Sequence, residues 1–197
     1  MLNIQFAVNK EKIKNNWFLK YRKTPEESIY TETENFCHEI EEKWKEKEVL
    51  ICSACKNITG IEFQGDFLIF VFHPDLEIAE YVDTQTVKWG YRELYSNYIV
   101  IGIAHELLHC VTHDFYTKLD DGGKWLFHSL VYLSIDEELR FILNGKDEYF
   151  SSPIINTYHK KLISTAKKIL SKWKKYMVDA NPKNIIDFYK QISSEKG

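Results

Sequence analysis

The stretch from Tyr98 to Tyr116, YIVIGIAHELLHCVTHDFY, constrains this chain more than any other. It carries His105-Glu106-Leu107-Leu108-His109, an H-E-x-x-H, among Ile99, Val100, Ile101, Ile103, Ala104 and Val111. So apolar a run reads as a helix buried on most of its sides. Residues four apart on a helix stand one above the other, so both imidazoles can grip one metal ion. Two histidines and a glutamate are costly to bury in hydrocarbon unless they are paired or bound. Zn²⁺ suits them, since it takes neutral imidazole nitrogens at about 2.0–2.1 Å and keeps a fourth position for water. Glu106 lies beside that position, where it can take a proton from the water.

A chain of 197 residues can bury one real core, and 44% hydrophobic with 28% charged residues is an ordinary folded composition. A net charge of -3 gives no general attraction to nucleic acid or anionic membrane. No apolar run reaches the roughly 18–20 residues that cross a bilayer. The first residues, MLNIQFAVNKEKIKNNW, are interrupted by Asn, Lys and Glu too early for a secretory signal, so a cytoplasmic protein is expected. Cys52-Ser-Ala-Cys55 has the spacing of half a zinc ribbon, but no second C-x-x-C exists, and small buried residues near a strand end are the simpler reading.

The pattern predicts an α+β fold, with a small, mostly antiparallel sheet packed on the H-E-x-x-H helix and on a following Glu-bearing helix. Further helices stand at both ends. A short strand precedes a helix near Lys10 to Tyr21, and Thr24-Pro25-Glu26-Glu27 starts another. Phe36, Ile40 and Trp44 recur every four residues, so Thr33 to Lys47 is an amphipathic helix. Val49-Leu50-Ile51-Cys52, Ile58 to Phe63 and Phe67 to Phe72 read as strands, the last two joined by a hairpin at Gln64-Gly65-Asp66. Thr84 to Trp89 reads as an edge strand. Trp125 to Leu143 is a second long helix that stops at Asn144-Gly145. Ser151-Ser152-Pro153 is the best linker candidate, followed by a Lys-rich helix from Ile154 to Met177 and a short one from Pro182 to Ile192. One domain over 1–197 results, divided into an N-terminal helical segment (1–47), a core (48–145) and C-terminal helices (153–197).

A catalytic zinc needs a third protein ligand. His113 lies about 12 Å along the axis from His105, too far to share an ion. His128, Asp136, Glu137, Glu138 and His159 remain, and the acidic cluster Asp136-Glu137-Glu138 inside an apolar helix invites a functional explanation. Periodicity lets either Glu137 or Glu138 face inward.

Ala104-His105-Glu106-Leu107-Leu108-His109-Cys110-Val111-Thr112 resembles the active-site helix of thermolysin-like zinc peptidases, the gluzincins, and Ile135-Asp136-Glu137 resembles the asparagine-glutamate step of their second helix. The layout is also similar to compact intracellular metallopeptidases of the ImmA/IrrE type. The resemblance covers roughly Ile99 to Leu143 and implies a zincin-like fold. It also implies Glu137 as the third zinc ligand beside His105 and His109, Glu106 as the general base, and a peptide or protein as substrate. Two departures stand out: the gap from His109 to Glu137 is wide, and the aspartate expected four residues after Glu137 is Phe141, which leaves Asp114 or Asp136 to orient a ligating histidine. For an oxyanion donor the downstream candidates are Tyr149, Tyr158, His159 and His128, with Tyr158 and His159 first. A substrate backbone would pair with the edge strand at Thr84 to Trp89. A zinc protein closed by a fourth side chain, and a partner surface on the lysines from Lys160 to Lys175, are the competing readings.

Overall fold

A computed structural model of the chain describes residues 2–145, 148–151 and 157–195, the side chains of residues 157–159 excepted. Strand β1 (Leu2–Val8) leads into α1 (Lys10–Tyr21), where the Asn9 side chain caps the helix by accepting from the Lys12 N–H. Next comes α2 (Glu27–Thr59), 33 residues long and closed by Gly60 in the left-handed conformation, whose N–H caps the Lys56 carbonyl.

The length of α2 corrects several sequence expectations. Val49 to Cys52 is helical, and the boundary drawn at residue 47 falls inside one continuous helix. Four consecutive apolar residues look like a strand, but only Ile51 is fully buried, with Cys52 half-buried beside it. Ile51 lies on the stripe that runs through Ile40, Trp44, Ala54, Cys55 and Ile58, whereas Val49 is 84% exposed. Ile58 and Thr59 end this helix too, so no strand spans 58 to 63 and no hairpin forms at Gly65.

The sheet holds β2 (Gly65–Val71), β3 (Ala79–Tyr81) and β4 (Thr86–Trp89) beside β1, in the order β1-β2-β4-β3. The pairs β1–β2 and β2–β4 are parallel and only β3–β4 is antiparallel, which corrects the expectation of a mostly antiparallel sheet. The segment Thr84 to Trp89 is not the edge either. Its β4 lies inside the sheet, and the short β3 forms the rim.

Helix α3 (Tyr98–Val111) packs against β3 and β4 on one side and against α2 and the next helical rod on the others. Gly102 makes the close approach to the sheet possible, because a Cβ there would sit 2.1 Å from the ring of Trp89. After a break at Thr112 and a single turn, α4 (His113–Tyr116), the rod begins as α5 (Asp121–Val131). It widens into a π-helical stretch (Tyr132–Leu139) and ends as α6 (Arg140–Asn144). Helix α7 (Thr157–Asp179) covers the rod with Leu162, Ile163, Ala166, Ile169 and Trp173, and α8 (Ile185–Ser194) closes that end. On α7, Lys161, Lys167 and Lys174 lie over the rings of Trp125, Phe150 and Tyr149. Ser152, Pro153 and Ile154, where the linker and the start of the Lys-rich helix were expected, lie outside the described residues. Among the described residues no helix is long and apolar enough to cross a membrane.

The helical course of α2 gives a test. Ile51→Ala should cost about 2–5 kcal/mol in denaturant unfolding, while Val49→Ala should stay within about 0.5 kcal/mol. Equal losses would contradict the buried stripe.

Candidate metal centre

The α3 winding places His105 and His109 one turn apart on the face turned toward the rod. There they meet His128 of α5. The ligand atoms of these three residues lie within 4.8 Å of one another, and among the described residues no other group of three or more His, Cys, Asp or Glu is so arranged. The Nε2 atoms of His105 and His128 are 3.0 Å apart. The ring of His109 stands 4.5 Å from that of His128 and 5.1 Å from that of His105, centre to centre. Nitrogens on a tetrahedral zinc at about 2.0–2.1 Å stand roughly 3.3 Å apart, so small side-chain shifts would suffice.

Two further observations fit a metal. His109 is fully buried, and neither of its ring nitrogens has a hydrogen-bond partner, a costly state that a metal bond would relieve. Burial, followed by the neighbouring His128 and His105, pushes the His109 pKa well below the ordinary histidine value, so its lone pair is not lost to a proton near neutrality. His105 is held from behind, with Nδ1 2.5 Å from the Asp136 carboxylate. Burial alone would lower its pKa, but the Asp136 charge and hydrogen bond outweigh burial and raise it. With its Nδ1 proton donated to Asp136, the imidazole presents Nε2 to a metal, the usual arrangement of a histidine ligand and its carboxylate support.

The structure brings His105, Glu106 and His109 together, puts Asp136, one of the two candidates for orienting a histidine, behind His105, and places Glu137 elsewhere. That carboxylate is fully buried on another side of the rod. Its Oε1 accepts from the Tyr132 hydroxyl at 2.8 Å, and its Oε2 takes the Arg140 guanidinium and the Phe150 N–H, each at 3.0 Å. Glu138 is no substitute, since its carboxylate accepts from the Tyr149 hydroxyl and from Trp173 Nε1. The physical reason is phase. Glu137 is one residue past Asp136, so where the rod turns Asp136 toward His105 it carries Glu137 on round toward Tyr132 and Arg140. Asp136, eight residues on, would stand roughly 80° round from His128 in an α-helix, and the wider π turns narrow that gap.

Glu106 is half-buried, and its Oε2 accepts the Tyr81 N–H from β3 at 2.9 Å. Burial chiefly pushes its carboxyl up, against the pull of His105 and the Tyr81 hydrogen bond. Of the downstream oxyanion candidates, Tyr149 is engaged by Glu138, and the side chains of Tyr158 and His159 lie outside the described residues. Two other phenols flank the centre. Tyr81 stacks on His109 (5.1 Å between centres, 15° between planes), and Tyr116 meets the same ring edge-on at 5.3 Å. Tyr116 follows His109 by seven residues, a helical repeat that could have singled it out, whereas nothing local marks Tyr81.

No family model, curated protein or solved structure matches the chain. What the centre does has to be read from its own geometry.

The division of labour along the rod is testable. Glu137→Ala takes the carboxylate from the buried Arg140 and should cost about 3–5 kcal/mol of stability, with the metal content of the folded protein unchanged. Loss of metal in a folded Glu137→Ala protein would return Glu137 to the ligand set.

Proposed function

We propose that the protein is a zinc-dependent peptidase whose metal is held by His105, His109 and His128, with Glu106 as general base. One observation carries this reading: three imidazoles converge beside the glutamate of an H-E-x-x-H, and no fourth ligand side chain joins them among the described residues. Three protein ligands and one open position is the composition of a catalytic zinc site, whereas a structural site is closed by four. An all-imidazole donor set is compatible with zinc, copper, iron or nickel, and zinc is preferred for hydrolysis without redox chemistry. The zincin-like character of the fold belongs to this proposal, with a histidine in place of the gluzincin glutamate.

When bound, zinc would lower the pKa of a water toward neutrality and polarise a carbonyl. The chain's own residues do the rest. Asp136 fixes the tautomer and orientation of His105 through Nδ1. Glu106, its carboxyl raised by burial, takes the proton of the attacking water and returns it to the leaving amine. The outward edge of β3 offers backbone groups to an extended peptide, the role first expected of Thr84 to Trp89. A cytoplasmic location, and the absence of nucleic-acid and membrane partners, remain part of the same proposal.

Elemental analysis of the purified protein should find about one zinc per chain, lost in His109→Ala and in His128→Ala. Glu106→Gln should keep the zinc and lose casein hydrolysis, and unchanged hydrolysis would remove Glu106 as the base. Asp136→Asn should weaken zinc affinity by about 10–100-fold in a chelator competition, and an unaltered affinity would show that the contact to His105 is incidental.

A further inference from the structure

The base of the proposed peptidase is tied to the strand that its substrate would use. In the β3–β4 hairpin the Val82 N–H donates to the Thr86 carbonyl at 2.7 Å and the Gly90 N–H to the Ile78 carbonyl at 2.6 Å. Antiparallel pairing alternates, so residues 78, 80 and 82 turn their backbone groups toward β4, while Ala79 and Tyr81 turn theirs outward. Outward N–H and C=O groups on a rim strand are what an added strand pairs with. One of them is already taken, because the Tyr81 N–H donates to Glu106 Oε2 at 2.9 Å. The same residue lays its ring parallel to that of His109. Tyr81 therefore touches the base through its backbone and a proposed metal ligand through its side chain.

We infer that Tyr81 is a positioning residue that couples substrate docking to release of the base: an extended peptide pairing with β3 supplies a backbone carbonyl to the Tyr81 N–H in place of the Glu106 carboxylate. Before docking, Glu106 is parked on the strand, with one oxygen committed to an amide. Docking exchanges that acceptor for a peptide carbonyl and frees the carboxylate to face the water it must deprotonate. The donor finds a new partner as the old one leaves, so no buried amide is left unsatisfied. The inference takes its occupant, an extended peptide, from the peptidase reading. The hydrogen bond between Tyr81 and Glu106 stands independently of it.

Glu106→Gln and Glu106→Ala both lack the base, so binding of fluorescein-labelled β-casein, an unfolded polypeptide, can be followed by anisotropy without turnover. Gln retains an oxygen for the Tyr81 N–H and Ala does not. The Ala variant should bind casein about tenfold more tightly than the Gln variant. Adding Tyr81→Pro, which removes the N–H, should abolish the gain, while adding Tyr81→Ala, which keeps it, should preserve the gain to within about threefold. Equal affinities of the Gln and Ala variants, or a gain that survives Tyr81→Pro, would overturn the inference. A second measurement needs neither Ala nor Pro. In the Glu106→Gln protein, casein should shift the Tyr81 amide resonance more than that of Val82, and an unmoved Tyr81 signal would overturn the inference equally. The peptidase reading fails separately: wild-type protein that leaves casein intact removes the hydrolytic step, while a tighter Ala variant would still establish the exchange at Tyr81.

Discussion

Two imidazoles on a helix that is otherwise hydrocarbon impose a condition that the neighbouring elements must meet. His105 and His109 are buried between sheet and rod, where an imidazole left without a partner is costly. Asp136 meets half of the condition by binding His105 Nδ1. His128 closes the triangle from the same rod. The two nitrogens of His109 remain without a protein partner, and a metal ion would take one of them. Gly102, which lets Trp89 seat the sheet against α3, and the π-helical stretch, which carries Asp136 round toward His105, can both be understood as serving this contact.

The rod shows how neighbouring carboxylates acquire different work. Asp136 faces the histidines, while Glu137 binds Tyr132, Arg140 and the Phe150 N–H, and Glu138 binds Tyr149 and Trp173. The second and third fasten α7 and the residues before it to the rod that carries the site. Tyr132 and Glu137 are five residues apart, the repeat of a π-helix, so their hydrogen bond fits the widened winding. The acidic triplet in this apolar helix is one partner of His105 and two anchors of the surrounding segments.

Legibility followed the range of the interactions. The centre of helix α3 could be read because its motif and its apolar periodicity are local, but its end at Val111, before His113, could not. The Asp136 contact was among the alternatives, since a ligating histidine needs a carboxylate behind it. Resemblance alone implies Glu137 as a ligand, and only the tertiary packing shows its carboxylate bound to Tyr132, Arg140 and the Phe150 N–H. Val49 to Cys52 misled because a run of four apolar residues has no period, and only the full stripe from Ile40 to Ile58 shows that a helix continues through it. The pairing of β1 with β2 joins residues 63 positions apart and the Tyr81–Glu106 hydrogen bond residues 25 apart, and no local pattern announces either.

The most direct test of the central claim is zinc-edge X-ray absorption on the purified protein, which reads the donor atoms without any substitution. Three imidazole nitrogens and one light atom at about 2.0–2.1 Å are expected. Sulfur in the first shell, or a shell with only two imidazoles, would contradict a centre built from His105, His109 and His128.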